Sequence, residues 1–237
     1  KVYVLILQLN HASRTHRVVC FHAQIWNTAN EMALRIAKEE SCTYVHPFDD
    51  CLLWEGHMSL VRELKATMHS QPGAIVLSVG GGGLLCGVIQ GLREVGWENV
   101  PIIAMETEGT KSLNAAMMAG KLVTLPDITS VATTLGVKCV AEQAFHLATQ
   151  HRVNSVVVSD KQAVSAICRF TDDEKMLVEP ACGTALAAIY EDVAKKLQLS
   201  GKLDHDLTCI VVLVCGGSNV TLGQLEAWKD EFGIIST

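Results

Sequence analysis

The stretch Ala74-Ile75-Val76-Leu77-Ser78-Val79, then Gly80-Gly81-Gly82-Gly83, then Leu84-Leu85-Cys86-Gly87-Val88-Ile89, decides the fold. An apolar run of strand length meets four glycines, and a helical pattern follows at once. Four residues without Cβ let the backbone turn sharply and bring its N–H groups close to a ligand. The first turn of the next helix adds unpaired donors and the positive end of a dipole. Together these predict an anion site, with a phosphate monoester as the anion. The plainer alternative is a tight strand-to-helix turn that binds nothing.

Downstream of this unit, Pro101-Ile102-Ile103-Ala104-Met105-Glu106 reads as a second buried strand ending in a carboxylate. Strand, glycine turn, helix and strand make a βαβ unit, so the two strands should be parallel. Ligands of such sheets gather at the carboxyl ends of the strands, where both the glycines and Glu106 lie. Further on, Ser112 to Ala119 reads as a short helix ended by Gly120, residues 121–139 as loop and turn, and Ala141 to Gln150 as helix. Ser155 to Ser159 is a β-branched strand, and Asp160 is expected to cap a helix from Lys161 to Phe170. Pro180 and its small neighbours open what reads as the longest helix, Thr184 to Leu197. Thr208 to Val214 is apolar almost throughout, as expected of a central strand covered on both faces. It ends in Cys215-Gly216-Gly217-Ser218-Asn219, and a last helix begins near Thr221.

Upstream, Ile25 to Glu40 and Trp54 to Met68 carry apolar residues at steps of three and four, the mark of amphipathic helices. Between them stands Pro47-Phe48-Asp49-Asp50. The two aspartates invite a reading as paired catalytic carboxylates, but one of them capping the next helix is the simpler role. His57 near the start of that helix reads as structural. Lys1 to Leu9 resembles a short signal h-region without a Met start or a small-residue cleavage site. Its apolar run is too short to span a membrane, so it reads either as a strand or as foreign fragment sequence. His11, His16 and His22 have no carboxylate or cysteine at ligand spacing, which argues against a metal centre there.

The composition sets limits. Of 237 residues, 49% are apolar and 19% charged, with net charge −6; mean hydropathy is +0.26. Such a chain buries a large core, and its acidity excludes a nucleic-acid footprint. The nine cysteines form no CxxC pair. Several, Cys86, Cys168, Cys209 and Cys215, sit in apolar runs, which fits buried free thiols in a reducing cytosol. The whole pattern is α/β, a mainly parallel twisted sheet with helices on both faces. Pattern alone leaves a dinucleotide oxidoreductase open. The GxGxxG spacing is not clearly met, although Glu106 lies roughly 20 positions beyond the glycines.

These segments, together with Ala104-Met105-Glu106-Thr107, Val178-Glu179-Pro180-Ala181-Cys182-Gly183 and Trp54-Glu55-Gly56-His57, resemble the animal L-serine dehydratase and serine dehydratase-like family. That family comprises fold-type II, pyridoxal-phosphate-dependent lyases. The resemblance covers residue 25 to the end as a large cofactor-binding domain and leaves 1–24 unassigned. It implies that Gly80, Gly81, Gly82, Gly83 and Leu84 hold the cofactor phosphate. It also implies that Cys215, beside Gly216, faces the pyridine nitrogen, where a neutral thiol leaves the ring less electron-poor. It implies a monovalent cation site, suited to potassium, at Gly80, Glu106, Thr110, Ser112, Leu135 and Val137. Several relatives carry Ala at the position of Thr110, which is harmless if the main-chain carbonyl is the ligand. The implied reaction is β-elimination, with the cofactor as electron sink. It takes serine to pyruvate and threonine to 2-oxobutanoate, each with ammonia, in a cytoplasmic homodimer of amino-acid catabolism and gluconeogenesis.

Two family motifs do not occur in this sequence. One is the Ser-x-Ser-Phe-Lys-like motif of the Schiff-base lysine; the other is the Ser-Ser-x-Gly-Asn-Ala-Gly substrate loop. Of the twelve lysines, Lys111 and Lys138 are nearest to matched motifs, and neither aligns with the catalytic position. The expectation is an N-terminally incomplete member, inactive by itself. The alternative is a non-catalytic relative that binds a ligand or serves as a regulatory subunit.

Overall fold

The computed structural model describes residues 6–7 and 26–234. His11, His16 and His22 lie outside the described residues. Of the strand expected in residues 1–9, Ile6–Leu7 is described: it forms β1, paired antiparallel with β2, Thr43–Tyr44.

The centre is a parallel sheet of β3 (Ala74–Ser78), β4 (Ile102–Thr107), β5 (Val153–Val158) and β6 (Ile210–Val212). Its strand order is β5-β4-β3-β6. Ile75 pairs with Ile102 and Ser78 with Met105, so the βαβ unit is parallel as expected. Every residue of β3 and β4 is buried, which explains their unbroken apolar runs. Alternation sorts the side chains. Ile75, Leu77, Ile102 and Ala104 join one core cluster, and Ala74, Val76, Ile103 and Met105 join the other. Burying a Leu or Ile at such a position contributes roughly 1.5–3 kcal/mol.

On the first face lie α2 (Cys51–Thr67), α3 (Gly83–Glu94), α4 (Ser112–Ala119) and α5 (Glu142–Gln150). On the second lie α6 (Asp160–Glu174), α7 (Pro180–Tyr190), α8 (Val193–Leu199) and α9 (Leu222–Phe232). The helix α1 (Trp26–Glu39) packs with β2 in a small separate cluster. Small residues let the helices approach. A Cβ at Gly87 of α3 would sit 2.4 Å from the Cβ of His57 on α2, and one at Gly183 of α7 would sit 2.4 Å from the Ala163 carbonyl on α6. His57 is thus a packing residue, with its pKa lowered by burial.

Several local expectations are corrected. Among the described residues, the run before Cys215 forms a half-buried strand of three residues at the edge of the sheet, not a central one. The helix expected from Thr184 to Leu197 is two helices, broken where Asp192 adopts a left-handed φ of 56°. Ser159, not Asp160, caps α6: its hydroxyl accepts from the Gln162 amide while the Gln162 side chain accepts from the Ser159 amide. That helix runs on to Glu174. Asp50 caps α2 by accepting from the Leu52 amide at 2.8 Å, so α2 begins at Cys51, three residues earlier than the periodicity suggests. Cys86 is buried, but Cys209 and Cys215 are exposed and Cys168 is half-buried. Among the described residues, no helix is long and apolar enough to cross a membrane.

Candidate cofactor site

A cavity of about 450 Å³ opens beside the carboxyl end of β3, lined by Phe48, Ser78, Gly80 to Leu85, Thr133, Thr134, Gly136, Val137 and Asn219 among others. Its floor is the glycine loop and the first turn of α3. Gly82, the N-cap, has φ 93° and no side-chain cap. This is the backbone state that glycine tolerates and other residues resist. The carbonyls of Gly81 and Gly82 are used, accepting from Ala141 at 3.0 Å and from Cys86 at 2.9 Å. The amides of Gly80 to Leu85 donate to no protein acceptor among the described residues. A row of free N–H groups at a helix N-terminus, facing a cavity, is the donor set of a phosphate site.

The glycines are required by space as well as by conformation. A Cβ at Gly81 would stand 2.2 Å from the Phe48 ring, one at Gly82 2.4 Å from the Ala144 Cβ, and one at Gly83 2.7 Å from the Phe48 carbonyl. Phe48 is itself held. Trp54 Nε1 donates to its carbonyl at 2.8 Å. His46 Nδ1 accepts from the amides of Asp49 at 2.9 Å and Phe48 at 3.4 Å. The His46 and Phe48 rings meet edge-on at 4.5 Å. Burial lowers the His46 pKa, against the opposing charges of Asp49 and Asp50, and this suits a ring nitrogen that must stay free to accept. Asp50 is spent on capping, and Asp49 is exposed; they are not a catalytic pair.

Glu106, at the end of β4, is completely buried. Its two oxygens accept from the amides of Leu113 and Asn114, both at 2.8 Å, so a strand side chain caps α4. Burial pushes its carboxyl up to about 7, and the two amides pull the other way. Nearby, the buried Ser112 hydroxyl has no hydrogen-bond partner among the described residues. Thr110 Oγ1 shares a hydrogen bond with Thr107, whose hydroxyl donates to Ser130 at 2.7 Å; Ser130 is tied to Asp160. Asp160 also accepts from the Val131 amide at 3.0 Å, so the expected helix cap instead pins the loop before the cavity wall. Leu135 lies against Gly80, within 3.0 Å of a Cβ built there. Its carbonyl accepts from Val137 at 2.8 Å. Val79 donates to the Met105 carbonyl at 2.9 Å, which puts Gly80 beside Glu106. The six positions read as a cation set are therefore brought to one edge of the sheet.

Cys215 and Gly216 are exposed and do not line the cavity; Asn219 of the same loop does. Behind this loop the Cys182 thiol on α7 donates to the Gly216 carbonyl at 3.0 Å and accepts from the Gly216 amide at 3.1 Å; the adjacent Cys215 lowers Cys182 to about 7 and is itself raised. Lys111 is exposed. Lys138 donates to the Pro126 carbonyl at 2.9 Å and pairs with Asp127 at 3.7 Å. No lysine lines the cavity among the described residues. Sequence reasoning missed Thr133, Thr134 and Asn219 as walls. Thr134 is anchored by donating to Glu179 at 3.0 Å; the Val178-Glu179-Pro180 motif was the only available signal.

A parallel sheet with an open glycine cradle at its carboxyl edge matches a known class. The profile of a family described as pyridoxal-phosphate dependent enzyme covers residues 5–216. The chain belongs to this family. It is 56% identical over 232 residues to the L-serine dehydratase/L-threonine deaminase of Homo sapiens, covering 98% of this chain and 70% of that protein. It is 62% identical over 191 residues to the Rattus norvegicus protein of the same name, covering 81% of this chain and 53% of the relative. A solved fungal L-serine ammonia-lyase from Rhizomucor miehei superposes with a TM-score of 0.74 at 38% identity, covering 80% of this chain and 59% of that one. The chain thus spans between 53% and 70% of the length of these relatives. The matched region reaches upstream of residue 25, where the sequence resemblance begins.

Proposed function

We propose that this chain binds pyridoxal phosphate through the Gly80–Leu85 loop and carries the cofactor half of an L-serine/L-threonine dehydratase. The observation that carries this reading is the row of unpartnered amides from Gly80 to Leu85 opening into the cavity. These N–H groups take the phosphate oxygens, and the α3 dipole favours the dianion. Phe48 covers the glycines from one side, and the Thr133–Val137 segment walls the other. Cys215, which stands outside the cavity lining here, is the residue that the family resemblance assigns to the ring nitrogen. Bound there, the cofactor supplies the electron sink for loss of the serine or threonine hydroxyl. Potassium at the Glu106 edge gives the orphan Ser112 hydroxyl a partner and favours ionised Glu106. The family's lysine motif does not occur in this sequence, so the chain by itself holds the cofactor without turning over serine. We extend the reading to a cytoplasmic homodimer acting in amino-acid breakdown.

The test is a titration of the purified chain with pyridoxal phosphate, followed by its absorbance, with inorganic phosphate as competitor. Saturable binding displaced by phosphate is expected, and pyruvate release from serine is not. Binding unaffected by phosphate refutes the cradle. Pyruvate release refutes the inactivity. Tight binding without pyruvate, even beside a full-length subunit, favours a ligand-binding or regulatory role, a reading that fits the lack of a lysine in the cavity lining among the described residues.

A further inference from the structure

We propose that Asp160 is a positioning residue of the cofactor cavity: through Ser130 it holds the Thr133–Val137 wall, and so sets how well the cavity takes pyridoxal phosphate as against inorganic phosphate. This rests on the cavity reading above. Asp160 is the first residue of α6, where the helix dipole favours an ionised carboxylate. Its Oδ1 accepts from the Ser130 hydroxyl at 2.5 Å and its Oδ2 from the Val131 amide at 3.0 Å. Both oxygens are therefore acceptors, and a side-chain amide in their place can serve only one of the two donors.

The directions of three hydroxyl hydrogens follow from counting. Ser130 Oγ has one hydrogen and two lone pairs. It accepts from the Ala132 amide at 3.0 Å and from the Thr107 hydroxyl at 2.7 Å. Its own hydrogen must then go to Asp160. Thr107 has spent its hydrogen on Ser130, so it accepts from Thr110 at 2.8 Å. The chain runs one way, Thr110 to Thr107 to Ser130 to Asp160, and the carboxylate is its sink. Thr107 and Thr110 are completely buried and Ser130 is nearly so, so water is a poor substitute for a lost partner.

The same serine seats the wall. Ser130 Oγ holds the Ala132 amide, and the Ala132 carbonyl accepts from Leu135 at 2.9 Å, which starts the 3-10 turn Thr133–Leu135. Thr133, Thr134, Gly136 and Val137 of this segment line the cavity. On its other side the loop is pressed by the turn after β4: a Cβ at Gly109 would stand 2.5 Å from the Ser130 nitrogen. Without the carboxylate the wall loosens, while the glycine amides, which belong to another segment, keep their place. Inorganic phosphate needs the glycine floor alone. Pyridoxal phosphate carries a ring as well and needs the wall.

The test compares Asp160→Asn, Ser130→Ala and Thr107→Val with the unaltered chain. Pyridoxal phosphate affinity is read by absorbance titration, inorganic phosphate affinity by competition, and the wall by amide hydrogen exchange in the free chain. Asp160→Asn should weaken pyridoxal phosphate about tenfold, the scale of one buried group left unpaired, and change phosphate affinity less than about twofold. Exchange should quicken at Val131 and Ala132. Ser130→Ala should act as strongly, and the double variant should be little worse than either, because both cut the same link. Thr107→Val spares both Asp160 bonds and should have the smallest effect. Equal weakening of the two ligands, as a general loss of stability would give, overturns the proposal. So does unchanged exchange at Val131 and Ala132, or a double variant whose losses simply add. An unaltered chain that takes up no pyridoxal phosphate refutes the cavity reading and the proposal with it. Equal uptake by the unaltered chain and Asp160→Asn refutes the positioning role alone. Should Asp160→Asn fail to fold, Ser130→Ala, which spares the Val131 bond, decides the matter.

Discussion

The loop after β3 and the loop after β6 are close neighbours in the sheet and look alike in sequence: an apolar run, then glycines. They are built differently. Gly81, Gly82 and Gly83 are buried beneath Phe48 and Ala144, while Gly216 is exposed and has no heavy atom within 4 Å of where a Cβ would stand; in that loop the close approach falls on the half-buried Gly217, whose Cβ would stand 2.4 Å from the Leu177 carbonyl. β3 is flanked by β4 and β6, whereas β6 has β3 alone as a neighbour among the described residues. What a glycine turn does is therefore set by the strand's place in the sheet and by remote residues that cover it, not by the turn itself.

The largest expected break of this contrast is at Gly82. Ala there meets the Ala144 Cβ at 2.4 Å and must hold φ 93°. Left-handed strain and overpacking together cost about 3 kcal/mol. Gly82→Ala should lose that stability in urea unfolding and weaken pyridoxal phosphate binding at least about tenfold, or 1.4 kcal/mol. Gly216→Ala, with a φ of 149° but open space, should lose less than half as much stability. Equal losses would mean that the two loops are equally enclosed.

A second, smaller effect follows from Glu106, which shares the covered edge with Gly80. Its carboxyl is raised from an ordinary 4.5 to about 7, chiefly by burial. Between those values the unfolded chain sheds a proton that the folded chain keeps. Stability is therefore fullest below pH 4.5, falls as pH rises to 7, and then levels. The drop is about 3 kcal/mol at most. Urea midpoints across this window should show that slope, and Glu106→Gln should flatten it. Potassium, by favouring the ionised form, should reduce the drop relative to choline chloride. A slope that survives in Glu106→Gln would assign the titration elsewhere.

The covered region was legible because its signals are local. Four glycines after an apolar run, and an aspartate of the Asp49-Asp50 pair ahead of a helix, announce their geometry within a few residues. The open region was misread for the converse reason. An all-apolar run such as Ile210–Leu213 suits a strand covered on both faces, and nothing in it says that it stands at the edge. The break at Asp192 also hides in sequence, since Asp tolerates the left-handed state without a glycine to signal it. The cavity walls escaped notice because Phe48, Thr134 and Asn219 reach the glycines from three separate parts of the chain.

The smallest effect isolates burial from shape. Val79 directly precedes Gly80 and is 1% exposed, while Val214 stands two residues before Gly216 and is 40% exposed. Replacing either valine by threonine keeps the volume and puts a hydroxyl where a methyl was. At Val79 that hydroxyl is cut off from water among Leu77, Leu85 and other apolar neighbours of its core cluster. Loss of its hydration should cost about 1–3 kcal/mol. At Val214 water reaches the new group, and the change should stay within about 0.5 kcal/mol. Chemical denaturation of the two variants measures the difference directly. A loss at Val214 that matches the loss at Val79 would mean that the β6 edge is covered in solution by another strand or a second copy.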